Sequence, residues 1–449
     1  MFIGLDLGTS GVRALLVGDG GDVLDAADAP LSVAHAHPGW SEQNPADWIA
    51  AATAALTALR GKAPDAMRRL RGIGLSGQMH GATLLDETGA VLRPCLLWND
   101  TRSHDQAARL DALPDFRAIS GNIVFPGFTA PKVMWVAENE PEIFSRTARV
   151  LLPKDYLSFW LTGNPVSDMS DSAGTSWLDV GARDWSATLL EQSGMRRDQM
   201  PDLTEGTGIV GTLRPALAAE LGLPDGIQIV AGGGDNAASA CGVGALAEGD
   251  GFVSLGTSGV LLAARDGFAP RPESAVHTFC HAVPDTWYQM GVILAATDSL
   301  NWLARVSATK PADLTAALGE KIGGPGRTRF LPYLSGERTP HNDSAVRGAF
   351  TGLDIASEQS DLTRAVLEGV SFALRDNLEA LKSTGAQLNR VLAIGGGTRS
   401  RYWVELLATI LNMPVDLPEQ GGFGAALGAP RPAICGVTAA APDDVISQP

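Results

Sequence analysis

Leu5-Asp-Leu-Gly-Thr-Ser-Gly11 has a near copy in the other half of the chain, Ser254-Leu-Gly-Thr-Ser-Gly259. Each Gly-Thr-Ser-Gly lies between two stretches with strand character. A four-residue match is weak alone, but in the same strand–turn–strand setting it points to a duplicated domain. Around the first copy, residues 2–7, 11–17 and 23–29 read as three strands of an antiparallel meander, with turns at 8–10 and 18–22. A helix should follow: Asn44 can cap it, Pro45 suits its first position and Asp47 favours its positive end. Trp48, Ala52, Ala55 and Leu59 then recur at helical spacing. Strand character returns at 73–75. In the second half, Leu362, Val366, Val370, Leu374, Leu378 and Leu381 make one apolar helix face closed by Gly385. Residues 391–394 read as a strand entering Gly395, Gly396 and Gly397, with a helix from about Ser400.

The 449 residues are too many for one hydrophobic core, so two domains are expected, 1–246 and 247–449. The composition, 45% hydrophobic and 19% charged, is that of a folded globular chain. With 34 Lys+Arg against 50 Asp+Glu, the net charge of −16 disfavours nucleic acid and anionic lipid as partners. The N-terminus does not read as a signal peptide, and runs such as 259–264 and 292–296 are too short to span a bilayer. Cys95, Cys241, Cys280 and Cys435 form no CxxC pair, the usage of a reducing cytoplasm. His277 and His281 bracket Cys280 and raise a metal site, but the alternation of 277–283 reads better as a strand.

Two Gly-Thr-Ser-Gly turns can hold phosphate, because glycine lets the backbone approach an oxyanion while N–H groups and hydroxyls donate to it. This makes Gly8, Thr9, Ser10, Gly256, Thr257 and Ser258 candidate phosphate-binding residues. A plain hairpin turn is the alternative for either copy alone. Gly232-Gly-Gly-Asp-Asn236 follows an apolar strand, 227–231, so Asp235 can be aimed from an uncrowded strand end. Asp6 interrupts an apolar run, where a carboxylate is costly unless paired or near a cation. Two carboxylates beside phosphate loops fit phosphoryl transfer, one positioning magnesium and one accepting the nucleophile's proton. Gly395, Gly396 and Gly397, between strand and helix, suit a nucleotide. Gly77-Gln-Met-His-Gly81 and Trp98-Asn-Asp-Thr-Arg102 mix polar donors with an aromatic, as a sugar site does. His80 taken singly is more often a structural hydrogen-bonder.

The sequence resembles the FGGY carbohydrate kinases. One family signature is Gly127-Phe-Thr-Ala-Pro-Lys-Val-Met-Trp-Val-Ala-Glu-Asn139. The other runs from Gly348-Ala-Phe-Thr-Gly-Leu353 to Asp361-Leu-Thr-Arg-Ala-Val-Leu-Glu368. The segments HPGWSEQNP, SGQMHGATLLD, LLWNDTRS, LLPKDYL, SDMSDSAGTSWLDV and FLPYLSGERTPHN agree in order, and the likeness spans residues 1 to about 428. It implies an α/β fold of two duplicated actin-like (ribonuclease-H-like) domains around a central cleft, the first binding sugar and the second nucleotide. It also implies ATP and Mg2+, and phosphorylation of D-xylulose to D-xylulose 5-phosphate. Position by position, Asp235 matches the proton acceptor, and Asp6 the acid near magnesium, holding it through water. Met79 and His80 match the sugar-contacting pair, with Asp100, Asp235 and Asn236 as further substrate contacts. A homodimer is left open.

The C-terminal end departs from the family pattern. After Gly-Ala-Ala-Leu-Gly428, Pro430 and Pro432 should break a helix that similar proteins continue, and the chain stops at Pro449. Three alternatives follow: a kinase of the same family for ribulose, gluconate or glycerol; an actin-like or chaperone-type ATPase; and a catalytically silent ATP-binding protein with an altered C-terminus.

Overall fold

The computed structural model of the protein describes residues 1–418 and 424–446. The chain forms two compact units. One comprises Met1–Gly244, Phe279–Trp287 and Phe423–Gln448, the other Ala245–Thr278 and Tyr288–Gly422.

The first unit is built on the meander the sequence suggests: β1 (Phe2–Leu7), β2 (Gly11–Val17) and β3 (Val23–Pro30), paired antiparallel in that order. Helix α1 (Pro45–Lys62) starts where expected, the Asn44 side chain accepting from the Ala46 amide. It packs on β2 and β3, and its Trp48, Ala52, Ala55 and Leu59 are buried in one core with Val12, Ala14 and Ala27 of those strands. Strand β4 (Gly72–Gly77) lies parallel to β1, and β5 (Ile209–Thr212) and β6 (Gln228–Gly234) complete a sheet in the order β5-β6-β4-β1-β2-β3.

The second unit repeats this plan with different residues. Its strands are β7 (Gly251–Leu255), β8 (Gly259–Arg265), β9 (His277–Cys280), β10 (Trp287–Ile293), β11 (Val391–Ile394) and β12 (Val415–Asp416), ordered β9-β10-β8-β7-β11-β12. In both sheets a meander contributes its first strand to a parallel pair, β1 with β4 and β7 with β11. The duplication read from a four-residue match is thus a duplication of topology. The long helix α2 (Gln359–Ser383) buries Val366, Val370, Leu374, Leu378 and Leu381 in the second core, and Gly385 follows with φ +90°.

The C-terminal segment packs on the first unit, whereas the sequence division placed it in the second domain. The helix of Ala425–Gly428 ends at Ala429, and a new one, Pro430–Thr438, restarts with Pro430 at its first position. The prolines therefore interrupt one helix and open another, as the missing proline N–H allows. Glycines in the sheet make room for it. A side chain at Gly4 would meet Pro430 Cδ at 2.5 Å, one at Gly72 would meet Val437 Cγ2 at 2.9 Å, and one at Gly74 would fall on the Ala429 carbonyl. Ala426, Leu427, Ala433 and Ile434 share a buried cluster with Phe2, Leu15, Val17 and Val230. The chain's last three residues, 447–449, lie outside the described ones. No described helix is long and apolar enough to cross a membrane.

Candidate active site

Parallel pairing on both sides of β4 sets the position of the two acids. Asp6 stands opposite Ser76 in the β1–β4 ladder, and Gly233 stands opposite the same Ser76 in the β4–β6 ladder. Their backbones are two strand steps apart, about 9–10 Å at the usual spacing. Asp235 follows directly on the end of β6. A bulge between Val230 and Gly233, with Gly232 at φ +71°, turns this strand end. The glycine run thus has three separate causes. Gly232 takes a left-handed conformation, Gly233 lies against Ser170 Oγ, and Gly234 lies against the Met79 side chain.

Burial raises the pKa of Asp235, and the charge of Asp6 raises it further, to about 7, against two hydrogen bonds from Asn236. Those bonds, from the Asn236 amide at 2.7 Å and its Nδ2 at 2.9 Å, both fall on Oδ1. Asp6 is also raised by burial, with the Ser76 hydroxyl and the Arg13 guanidinium opposing. Asn236 therefore reaches the site as a holder of the Asp235 carboxylate.

Met79 and His80 end the loop after β4. His80 adopts φ +69°, unusual for a residue with a Cβ, and its ring stacks on Phe128 with centroids 4.5 Å apart. His80 Nδ1 is 2.7 Å from the Gly174 carbonyl, which can only accept, so Nδ1 carries a proton, and in the neutral ring the acceptor lone pair falls on Nε2. The strained backbone is held from behind. The His80 carbonyl accepts Thr129 Oγ1 at 3.0 Å and Lys132 Nζ at 2.9 Å. Both donors belong to the first signature, whose value to the site is this clamp. Burial of Lys132, 0% exposed, brings its pKa down to about 7.

The structure does not bring Asp100 to this site. Its carboxylate is 0% exposed and takes Arg102 Nε at 2.9 Å, Arg102 Nη2 at 2.7 Å, the Arg102 amide and the Ser41 amide. An acid with its lone pairs so committed braces its own loop, and the sugar contact expected of it does not fit this geometry.

The turn at Gly8, Thr9 and Ser10 is also more committed than a bare phosphate loop. Gly8 N–H closes it onto Gly11 O, and Thr9 Oγ1 donates to Gln78 Oε1 at 2.9 Å while accepting from Trp98 Nε1 at 3.0 Å. Gln78 Nε2 donates to Gln43 Oε1, and Gln43 Nε2 donates to Thr9 O. This closed cycle fastens the turn to the segment carrying Met79 and His80. Gln43 lies in the HPGWSEQNP segment, but nothing local marks this bridging role.

In the second unit, Gly256, Thr257 and Ser258 connect β7 to β8. The Gly256 carbonyl accepts the Thr297 amide and hydroxyl, and the Thr257 carbonyl accepts the Ala296 amide. In trans peptides the next N–H points the opposite way, so Thr257 and Ser258 turn their amides away from the 296–297 backbone, a disposition suited to an anion. Gly395 has φ +93°, and a Cβ there would lie 2.8 Å from the Leu255 carbonyl group. The two loops are therefore packed together at the ends of the adjacent parallel strands β7 and β11. A cavity of about 730 Å³ opens beside them, lined by Gly396, Gly397, Ser400, Tyr402, Thr297 and Leu300.

Among the described residues, His277, Cys280 and His281 form no group that could share an ion. Asp155, Asp168 and Asp171 are close enough to do so, but Lys154 Nζ sits 2.5 Å from Asp155 and 2.9 Å from Asp168. All four residues are buried, in the LLPKDYL and SDMSDSAGTSWLDV segments.

The chain matches the model of the N-terminal domain of the FGGY family of carbohydrate kinases over residues 1–242 and that of its C-terminal domain over 251–440. It is 48% identical to the xylulose kinase of Escherichia coli (strain K12) over 434 residues, covering 96% of this chain and 89% of the relative. The crystal structure of a xyloylose kinase from Brucella ovis superposes with a TM-score of 0.97 at 57% identity, covering 100% of this chain and 92% of the other. That of xylulose kinase from Rhodospirillum rubrum superposes at 0.90 with 32% identity, covering 99% and 91%. With both domain models of the family matched in order along its two halves, the chain belongs to the FGGY family of carbohydrate kinases.

Proposed function

We propose that the protein transfers the terminal phosphoryl group of ATP to D-xylulose, giving D-xylulose 5-phosphate and ADP. The observation that carries the mechanism is Asp235, an acid raised to about 7 by burial and the charge of Asp6, directly after Gly234, which lies against Met79. A base whose pKa lies near neutrality can accept a hydroxyl proton and release it again within one cycle. The identity of the sugar rests on relatives named for xylulose.

In this reading the sugar's 5-hydroxyl gives its proton to the Asp235 carboxylate as its oxygen bonds to the terminal phosphorus. The bond from that phosphorus to the bridging oxygen breaks, and ADP leaves with the electron pair. Asn236, which bonds only one carboxylate oxygen in the observed network, keeps the base oriented. Met79 closes the apolar side, and the His80 ring, with its acceptor on Nε2, takes a hydrogen bond from a sugar hydroxyl. The cavity beside Gly396 and Gly397 takes the nucleotide, and the Thr257 and Ser258 amides serve its phosphates.

The oxygen-rich surroundings of Asp6 fit magnesium, because a raised carboxylate beside a second carboxylate and a serine hydroxyl is a hard donor set short of positive charge. Asp6 would hold the ion through water, and the ion, when bound, supplies charge neutralisation to the phosphates. A reducing, cytoplasmic setting fits the four buried free cysteines.

The test is ADP release by the purified protein across a panel of ketopentoses, gluconate and glycerol, with and without magnesium. Stimulation by D-xylulose at least ten-fold above every other acceptor is expected. Equal stimulation by another sugar would overturn the choice of substrate, and sugar-independent turnover alone would favour an ATPase.

A further inference from the structure

The buried group Lys154, Asp155, Asp168 and Asp171 is linked by hydrogen bonds to the strand end before Asp235 through one serine. Asp168 caps the short helix Met169–Ser172, and its Oδ2 accepts the Ser170 amide at 2.7 Å, the Ser170 hydroxyl at 2.5 Å and the Asp171 amide at 3.2 Å. Its Oδ1 is 2.9 Å from Lys154 Nζ. In this arrangement the Ser170 hydroxyl gives its single proton to Asp168 Oδ2. The remaining Ser170 lone pairs then accept, and the Gly234 amide donates to them at 3.1 Å. Gly234 is the residue before Asp235.

We propose that Ser170 is a positioning residue for Asp235: anchored by Asp168 and Lys154, its oxygen fixes the Gly234 peptide and so the direction in which the acid leaves the strand. The bulge at Gly232 interrupts the ladder before pairing resumes at Gly233 and Gly234, and the Ser170 bond adds a second hold on this strand end. The fit is close, because a Cβ at Gly233 would lie 2.9 Å from Ser170 Oγ. The rest of the group keeps the anchor charged and still. Burial works against the Lys154 charge, but Asp155, Asp168 and Asp171 outweigh it and hold the pKa above its usual range. Burial raises the Asp171 carboxyl, with Lys154 opposing and Asp155, Asp168 and Asp235 adding to the rise.

This rests on Asp235 being the base, and the experiment separates the two claims. Steady-state kinetics with ATP and D-xylulose would be run on Ser170→Ala, Ser170→Thr and Asp235→Ala. Exchange at the Gly234 amide would be followed by NMR in the wild type and the serine variants. Ser170→Ala should lower kcat about ten-fold while both KM values stay within about three-fold, the signature of a misaimed group rather than lost binding. Ser170→Thr, which keeps the hydroxyl, should recover most of kcat, and Gly234 exchange should be slow in the wild type and faster in Ser170→Ala. Wild-type kcat in a folded Ser170→Ala, with Asp235→Ala inactive, would overturn the positioning role and leave the base standing. Full turnover in Asp235→Ala would remove the base and this proposal with it. Should Ser170→Ala fail to fold, rapid exchange of the wild-type Gly234 amide would still overturn it.

Discussion

Asp6 and Asp235 leave two strands that flank β4 on opposite sides, and the charge of Asp6 adds to burial in lifting Asp235 to about 7. The pairing is a consequence of register, since a one-residue slip of β1 would turn Asp6 to the other face of the sheet. It also has a sign that can be tested. A folded pKa above the unfolded value of 3.8 means that the native state keeps a proton the unfolded chain has lost. The associated stability is present below about pH 4 and is lost as pH rises through 7. Asp235→Asn, which cannot ionise, should therefore gain in Tm relative to wild type from pH 4 to 7, with the difference levelling off above. Thermal unfolding across that range checks it, and a pH-independent difference would refute the coupling. The same ionisation predicts that wild-type kcat rises toward a plateau through about pH 7.

Asp6 has a different expected phenotype. If it holds magnesium through water, Asp6→Asn should raise the magnesium concentration needed for half-maximal rate and lower kcat together. Removing its charge also removes one cause of the raised Asp235 value, so the acid limb of kcat should move to lower pH. A magnesium titration identical to wild type, with only a lower Tm, would make Asp6 a buried structural acid.

His80 is fixed by its Gly174 bond and its Phe128 stack, so its removal costs the site a placed ring as well as a hydrogen bond. A missing hydrogen bond costs about 0.5–1.5 kcal/mol and an unsatisfied buried partner about 1–3. His80→Ala should then reduce kcat/KM for D-xylulose roughly ten- to a hundred-fold. Sugar-independent ATP hydrolysis should fall much less. The ratio of the two activities is the measurement, and equal losses in both would return His80 to a structural role.

Local signals carried much of this architecture into the sequence. The three-strand meander, the Asn44 cap, the long helix ending near Gly385 and the Gly395 loop are each set by neighbours within a few residues, and each is where propensity and spacing put it. Asp6 was legible because a carboxylate in an apolar strand is costly. Partners distant in sequence were not. Nothing near Ser170 shows that it bonds Gly234, 64 residues away, and Lys132 gives no local sign that it clamps the His80 carbonyl. Asp100 misled for the complementary reason: an acid beside an aromatic and an asparagine looks like a sugar contact until Arg102 and Ser41 are seen to occupy it. The C-terminal helices were assigned by chain order, while their packing follows the glycines they cover.

Those glycines give the last prediction. Gly4 and Gly74 are paired in register, and together with Gly72 they clear one face of the sheet for the helix of Pro430–Thr438. The atom a Cβ at Gly74 would strike is the Ala429 backbone carbonyl, which cannot rotate away as a side chain could. Gly74→Ala should therefore cost at least the 1–3 kcal/mol typical of overpacking, and each kcal/mol lowers Tm by about 2–4 °C at this size. Ala433→Gly should give little rescue, although Ala433 Cβ lies 3.0 Å away, because the carbonyl is the closer obstacle. Gly61→Ala is the control, since Gly61 lies in α1 with no atom within 4 Å of its added Cβ. There the same substitution should be neutral or raise stability by up to about 1 kcal/mol, through helix propensity and a less flexible unfolded chain. Thermal unfolding of the three variants decides the matter. Equal Tm values for Gly74→Ala and wild type would show that the C-terminal helix does not press on the sheet.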